Sequence, residues 1–229
     1  MFRLEPNLPI YSREIGSFTF QITQSIIIEW IVILILGIGA FLLTRNLKLR
    51  PTKVQAALEK IYQMLRNLVV ETMGEVYESF LPYIGTLMIY LLVLNFIGLV
   101  GFKPPTQDLS VTVSFAIVTF LVVNLNAIFK NGITGYAKGY LHPFGAMLPI
   151  NIMERLVLPV SLSLRLFGNM YAATILVEMV YHALGGIATV AQIGLPVIVH
   201  GYFDIFDGGI QMLVFSMLTM INIKVTGEH

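Results

Sequence analysis

Residues 22–43 read ITQSIIIEWIVILILGIGAFLL, an apolar run in which Glu29 is the only charged residue. Because a helix needs about 20 mostly apolar residues to cross a bilayer, this segment is predicted to be a membrane span. Four further segments meet the same criterion, and they cover residues 81–101, 109–129, 152–183 and 187–223. Only 12% of the 229 residues are charged, against about a quarter in soluble domains. The sequence therefore predicts an all-α membrane protein with about five transmembrane helices.

The remaining segments complete a single membrane domain that is expected to cover residues 1–229. Residues 1–21 are predicted to form an outer N-terminal segment. Residues 51–78 carry apolar side chains at every third or fourth position from Val54 to Leu68, with Lys and Glu between them. This spacing is typical of an amphipathic helix on the cytoplasmic membrane surface, and a solvated linker is the alternative.

Basic residues predict the orientation, because loops rich in Arg and Lys stay on the cytoplasmic side. Six basic residues follow the first span, Lys130 and Lys138 follow the third, and Lys224 follows the last, whereas the loop after the second span has only Lys103. An outer N-terminus and a cytoplasmic C-terminus satisfy all of these loops. The N-terminal segment does not resemble a cleavable signal peptide. We therefore expect a bacterial plasma membrane, with a thylakoid membrane as the alternative.

The composition excludes several kinds of site. A net charge of +1 provides no electrostatic footprint for nucleic acid. The absence of cysteine excludes disulfides and thiolate metal sites. The four histidines show no HExxH or similar ligand spacing. No metal or other cofactor is therefore predicted, and the lipid bilayer is the expected environment.

Arg165 is the most unusual residue, because it lies inside the apolar stretch LSLRLFGNM at residues 162–170. An arginine at mid-bilayer costs on the order of 3 kcal/mol even on lenient scales, and its pKa above about 12 keeps it charged. Glu154 is roughly 16 Å of helix away, too far for the side chain to reach the interface. A buried ion pair with Glu178 or Asp204 is the alternative, but it must bridge about 10–20 Å of helix rise. We therefore expect a partner from another chain.

The sequence around this arginine, PVSLSLRLFGNMYA at residues 159–172, resembles the signature of subunit a of F-type ATP synthases. Further similar motifs are PPTQDL at residues 104–109, HPF at residues 142–144, and Gln211 in the last span. They occur in the family's order from about residue 81 onward. The resemblance implies an ion-translocating stator subunit that is not catalytic by itself. Its implied partners are a c-subunit ring, a b-subunit peripheral stalk and other ATP synthase subunits.

The resemblance also implies roles for individual residues. Arg165 would face the carboxylate of each c-ring subunit in turn, and the last two helices would be long and tilted along that ring. Gln211 matches the family directly and could orient Arg165 or hydrogen-bond to it. Glu154 matches an acidic position on the cytoplasmic side. Asp108 matches a lining or capping group at the outer end of the third span.

Helical spacing groups the polar residues around Arg165. Asn169 follows Arg165 by four positions and therefore shares its face. A stripe largely opposite carries Thr174, Glu178 and His182. One common form of the family has Glu at the position of Thr174, so individual acid–base roles do not transfer. An interfacial location without a role is the better interpretation of His182.

A second polar stripe lies in the last span and consists of His200, Asp204, Asp207 and Gln211. With Gln211 level with Arg165, Asp204 and His200 lie about 10 and 16 Å outward, and Glu178 lies about 20 Å outward. These three could line an outer half-channel. A structural Asp204–His200 pair is the alternative, and Asp207 could equally be a loop-facing or helix-bending residue. The family often has His at the position of Asp204.

The opposite, cytoplasmic side is expected to hold an inner half-channel. Glu154 and Asn222 both fall about 16 Å from the level of Arg165 in this direction. The protonatable stripes favour H⁺ over Na⁺ as the transported ion. Three rival functions remain open: a transporter in which Arg165 binds an anion, an intramembrane enzyme using His200 and Asp204, and a purely structural assembly subunit.

Overall fold

The computed structural model describes residues 11–15, 18–139, 148–185 and 201–228. Within these ranges the chain forms a β-hairpin followed by six α-helices. The hairpin strands are β1 (Tyr11–Ile15) and β2 (Phe18–Ile22). The helices are α1 (Gln24–Thr44), α2 (Lys53–Met73), α3 (Leu81–Phe96), α4 (Leu109–Gly139), α5 (Leu148–Gly185) and α6 (Gly208–Glu228).

Five helical segments are long and apolar enough to cross a membrane, and they begin at Gln24, Glu75, Leu109, Leu148 and Gly201. The predicted all-α membrane architecture with five spans is therefore confirmed. The antiparallel hairpin, which pairs Tyr11 with Ile22 and Ile15 with Phe18, was not predicted. It lies in the segment that was expected only to be an outer N-terminal stretch.

Several helices differ from the predicted spans at their ends. The third span was predicted to end at residue 129, but α4 continues to Gly139, with a non-helical backbone at Gly132. The fourth was predicted over residues 152–183, and α5 is longer at both ends. Hydropathy marks only the part of a helix that contacts hydrocarbon, whereas backbone hydrogen bonds continue the helix into the interface.

The predicted amphipathic segment at residues 51–78 is helical but ends early. Thr52 caps α2 by accepting a hydrogen bond from the Gln55 backbone N–H at 3.3 Å. The helix stops at Met73 because Gly74 adopts a φ of 94°, which side-chain-bearing residues rarely adopt. A separate 3₁₀ helix, Glu75–Phe80, then leads into α3.

The core of the bundle lies between α3, α4, α5 and α6. One buried cluster joins Leu91 of α3, Leu166 of α5 and Phe215 of α6. α4 packs extensively against both α5 and α6, whereas α5 and α6 contact each other directly over a shorter stretch. α1 lies at the periphery, and its apolar side chains are mostly exposed. Such exposure fits contact with lipid.

The last turns of α6 are anchored to the rest of the bundle by hydrogen bonds. Tyr77 donates from its hydroxyl to the Lys224 carbonyl at 3.4 Å, and Asn126 donates to the Ile223 carbonyl at 3.3 Å. Lys130 lies over the Tyr77 ring, 4.5 Å from its centroid, and donates to its hydroxyl. These contacts join the end of α6 to the 3₁₀ helix Glu75–Phe80 and to α4.

Candidate functional site

Arg165 lies on the exposed side of α5, and the opposite side of that helix is buried. Leu162, Leu166 and Met170 point into the core with exposed fractions of 3%, 1% and 1%. The outward face beside Arg165 carries mostly small or short side chains, which are Ser161, Gly168, Asn169 and Ala172. A Cβ at Gly168 would meet no other atom within 4 Å. The guanidinium therefore lies beside an open, shallow face that also carries Asn169.

Arg165 forms no hydrogen bond or ion pair with any residue that the structure describes. The alternative of a salt bridge to Glu178 or Asp204 is therefore not realised among these residues. The suggested hydrogen bond from Gln211 is also not formed, because Gln211 faces the core with an exposed fraction of 6%. Arg165, in contrast, is exposed on α5.

A cavity of about 320 Å³ brings together several of the predicted outer half-channel residues. Thr174 and Glu178 of α5 line one wall, and Asp204 lines the other. Lys103 and Gln107, from the segment between α3 and α4, complete its polar lining. Thr174 also donates from its hydroxyl to the Met170 carbonyl at 3.0 Å. The cavity thus combines two carboxylates with one lysine.

Asp204 and Asp207 belong to a π-helical segment, Gly201–Asp207, that leads directly into α6. Asp204 is buried, with an exposed fraction of 7%, whereas Asp207 is half buried. The Asp204 carboxylate lies against the backbone of Gly98: a Cβ at that glycine would be 2.6 Å from Oδ2. π-helical turns are rare and often occur at functional sites. The sequence predicted an ordinary α-helix here, so the wider π-helical turn around Asp204 and Asp207 was not anticipated.

The other predicted residues are distributed over both ends of the bundle. Asp108 caps α4, and its Oδ1 accepts a hydrogen bond from the Ser110 backbone N–H at 3.0 Å. Glu154 is exposed on α5. Asn222 is half buried and donates to the Leu218 carbonyl of its own helix at 2.7 Å. His200 and the side chain of His182 fall outside the described residues, as do residues 187–199 of the predicted last span.

Sequence reasoning missed a buried polar pair at the C-terminal end of α3. Asn95 and Thr106 are both fully buried, and the Thr106 hydroxyl donates to Asn95 Oδ1 at 3.1 Å. Asn95 Nδ2 donates in turn to the Gly208 carbonyl at 3.0 Å. A signal was present, since an asparagine in an otherwise apolar span is costly unless it is paired.

Glu29, the only charged residue of the first predicted span, is half buried on α1. It lines a second cavity, of about 310 Å³, between α1, α3 and α4. The Tyr90 ring also borders this cavity and packs against Phe115, with 5.6 Å between ring centroids. The sequence offered no signal for this groove, because it arises from the packing of three separate helices.

Comparison with known proteins is consistent with this arrangement of helices. Residues 26–224 match the family model described as "ATP synthase A chain". The chain is 34% identical to ATP synthase subunit a of Moorella thermoacetica, over 96% of this chain and 92% of that protein. It is 32% identical to ATP synthase subunit a of Bacillus subtilis, over 94% and 97% of the two chains.

A sodium-specific relative is similarly close. The chain is 33% identical to "ATP synthase subunit a, sodium ion specific" of Propionigenium modestum, over 91% of this chain and 75% of that protein. The resemblance seen around Arg165 therefore extends over nearly the whole sequence. The matched region begins in α1 and ends in α6, so it reaches from the first to the last of the five candidate membrane spans. This multi-pass membrane protein belongs to the ATP synthase A chain family.

Proposed function

We propose that this chain is the ion-translocating stator subunit of a rotary ATP synthase, and that Arg165 acts on the carboxylates of a c-subunit ring. The observation that carries the proposal is a charged guanidinium on an exposed face of a membrane-spanning helix, without a partner among the described residues. Lipid contact there is expensive. Short side chains beside it leave room for close approach by a neighbouring helix.

The electrostatics of such an encounter favour ion release. Burial raises the pKa of a carboxyl group in the membrane, so a passing c-ring carboxyl stays neutral. Near a permanent guanidinium the charged form becomes favourable. At an effective dielectric constant of 20, unit charges 4 Å apart attract by roughly 4 kcal/mol. This energy corresponds to about three pKa units, which is enough to expel the proton or displace the ion.

The cavity lined by Glu178 and Asp204 is the outer half-channel in this proposal, with Thr174 in its wall. Its carboxylates attract cations from the outer solution and pass them toward the ring. His200, and more weakly His182 and Asp207, are further candidates for this path. Lys103 at the cavity raises the local potential and limits how many cations reside there.

The inner half-channel is proposed to involve Glu154 and Asn222 on the cytoplasmic side. Gln211 and Asn169 serve as polar groups near the level of Arg165, and Asp108 fixes the outer end of α4. The positive charge of Arg165 separates the two half-channels and blocks a direct leak. Ions then cross only while they are bound to the rotating ring, which couples their flow to rotation and to ATP synthesis in the soluble sector.

The proposed setting follows from the same role. The chain is a single membrane domain of residues 1–229, with an outer N-terminus and a cytoplasmic C-terminus in a bacterial plasma membrane or, alternatively, a thylakoid membrane. A b-subunit peripheral stalk holds it stationary against the c-ring. It has no catalytic activity by itself, and nucleotide chemistry belongs to the partner subunits.

The decisive experiment replaces Arg165 with alanine in the complete ATP synthase and measures ATP-driven ion pumping into vesicles. We expect Arg165→Ala complexes to assemble and to lose coupled pumping. Arg66→Ala is the matched control, because Arg66 is an arginine outside the proposed path. Retained pumping in Arg165→Ala would reject the proposal and favour a structural subunit. Uptake of an anionic solute that depends on Arg165 would favour a transporter.

The ion itself requires a separate measurement, because one relative is named as sodium ion specific. Pumping is assayed with and without sodium in the presence of a protonophore. Pumping that persists with sodium and the protonophore indicates Na⁺, and pumping abolished by the protonophore indicates H⁺. The protonatable groups at the outer cavity favour H⁺.

A further inference from the structure

The outer end of α3 contacts the π-helical segment and α6 through two successive pairs of residues. Asn95 meets Gly208, and Gly98 meets Asp204. Asn95 and Gly98 are three positions apart on one segment, and Asp204 and Gly208 are four apart on the other. The two contacts are therefore about one helical turn from each other. The two pairs therefore form one continuous contact in which the segments run in opposite directions.

The first pair is a hydrogen-bonded junction. Asn95 uses both ends of its amide, donating to the Gly208 carbonyl at 3.0 Å and accepting from the Thr106 hydroxyl at 3.1 Å. Asn95 and Thr106 are both fully buried, so loss of either partner leaves an unsatisfied polar group in an apolar environment. Close approach is also required here, since a Cβ at Gly208 would be 2.9 Å from Asn95 Cβ.

The second pair seats the carboxylate of Asp204. A Cβ at Gly98 would lie 2.6 Å from Oδ2 and 2.8 Å from Oδ1, so only glycine leaves room for the carboxylate at this distance. Gly98 belongs to the short 3₁₀ helix Ile97–Val100 that follows α3. Gly98 and Asp204 both border the cavity that also contains Glu178.

The two contacts are linked by the helical register of the π-helical segment, which is the rotation of its side chains relative to α6. A π-helical turn holds one residue more than an α-helical turn over the same rise. If Gly201–Asp207 relaxed to an ordinary α-helix, residues before Gly208 would rotate by about 100° relative to α6. Asp204 would then leave the wall of the cavity. The hydrogen bond at Gly208 lies at the point where π-helical and α-helical geometry meet.

We propose that Asn95 and Gly98 are positioning residues for Asp204: Asn95, oriented by Thr106, fixes the register of the π-helical segment, and Gly98 provides the space in which the carboxylate faces the outer cavity. This inference deepens the proposed function and rests on it, since the role of Asp204 in ion access is the role being positioned. It assigns a task to a buried polar pair that lies outside the arginine site.

Thiol labelling in the complete complex tests the geometry without relying on pumping. This chain has no native cysteine, so Asp204→Cys introduces its only thiol. We expect a small water-soluble thiosulfonate to react with Asp204→Cys from the outer solution. Adding Asn95→Leu, which keeps a similar volume but removes both hydrogen bonds, should lower the labelling rate at least about tenfold. Tyr202→Cys, which starts from an exposed side chain, is the control for general changes in access.

The outcomes separate the two proposals. If Asp204→Cys does not react even with Asn95 present, the cavity is not an aqueous path, and the outer half-channel itself is rejected. If it reacts equally well with and without Asn95→Leu, the half-channel stands and the positioning role is rejected. Should Asn95→Leu fail to assemble, Thr106→Val removes one hydrogen bond only, and an unchanged labelling rate in that variant rejects the role in the same way.

Pumping provides a second, independent measurement. If Asn95 acts through Asp204, Asn95→Leu should reduce pumping by no more than Asp204→Asn does, about two- to tenfold, and by less than about twofold in an Asp204→Asn background. Effects that multiply would mean that Asn95 acts elsewhere. Gly98→Ala should slow pumping and change its dependence on outer pH as Asp204→Asn does. Gly39→Ala is its control, since a Cβ at Gly39 meets nothing within 4 Å, and equal behaviour of the two glycine variants would overturn the proposal.

Discussion

Two arginines of this chain occupy opposite electrostatic situations. Arg66 of α2 binds Glu78 through two hydrogen bonds, from Nε at 2.6 Å and from Nη2 at 3.1 Å. Hydrogen bonding to Glu78, together with its charge, raises the pKa of Arg66. Arg165 of α5 lies within a span and has no such partner among the described residues. Arg66, which water could solvate, is therefore paired, whereas Arg165, which lipid cannot solvate, is not paired with any described residue.

This difference distinguishes a structural charge from a functional one. The Arg66–Glu78 pair is about 40% exposed, at 44% and 38%, so water and salt screen it and little depends on it. An unpaired charge at membrane depth is costly, and it persists only if another component supplies the compensating charge. The comparison therefore indicates that the chain by itself is electrostatically incomplete at Arg165.

The largest effect is expected from a change that keeps the charge of Arg165 and alters its chemistry. Arg165→Lys should reduce ATP-driven pumping at least about tenfold, because lysine lacks the planar fork that binds a carboxylate bidentately. A desolvated lysine also has a lowered pKa and loses its proton as pH rises. Pumping relative to wild type should therefore fall further between about pH 7 and about pH 9.

Arg66→Lys is the matched control for this substitution. It makes the same chemical change at the paired, exposed arginine, so pumping should remain near wild type across the same pH range. Equal losses in the two variants would show that the contrast between the arginines has no functional meaning. A pH-independent defect in Arg165→Lys would show that geometry alone, rather than permanence of charge, matters at this position.

An intermediate effect is expected from the two carboxylates of the outer cavity. Glu178→Gln and Asp204→Asn should each reduce pumping by about two- to tenfold, since one remaining carboxylate still attracts cations. Because both line the same cavity, the double variant should differ from the product of the two single effects. Initial pumping rates at several outer pH values provide the measurement.

Glu29→Gln tests whether any carboxylate at a membrane cavity has this effect. Glu29 lines a separate cavity, which shares no lining residue with the cavity that contains Asp204. Pumping should therefore stay within about twofold of wild type. If Glu29→Gln were as damaging as Asp204→Asn, the ion path would have to be sought near α1.

The sequence predicted the fold well wherever burial in lipid governs it. Five apolar segments gave five spans, because a bilayer demands long hydrogen-bonded helices of nearly fixed length. Helix ends were less accurate, since they depend on local conformations such as the positive φ of Gly74. The hairpin at Tyr11–Ile15 and Phe18–Ile22 was missed although the sequence carries a signal for it, because Gly-Ser between two short runs rich in aromatic and β-branched residues is typical of a hairpin turn.

The sequence predicts a residue of the candidate site when that residue is unusual in its own segment. Arg165 is conspicuous because any arginine in an apolar span requires an explanation, and helical spacing correctly put Asn169 on its face. Gln211, which could orient Arg165 or hydrogen-bond to it, is instead buried, because helix rotation is set by packing, here of Phe215 and its neighbours, which the sequence does not specify. Asn95, whose partners Thr106 and Gly208 are 11 and 113 positions away, could be noticed from sequence but not assigned a role.

The smallest effect is expected at the paired arginine itself. Arg66→Ala and Glu78→Ala should each shift the melting temperature of the solubilised complex by no more than about 2 °C, because an exposed ion pair gains little over its hydrated, separated charges. The double variant should behave like either single one, and added salt should shrink even this difference. A large shift, or a strong loss of pumping with the complex intact, would make Arg66 as consequential as Arg165. The presence of a partner within the chain would then not separate structural from functional charges in this protein, and the interpretation of Arg165 would rest on its sequence context alone.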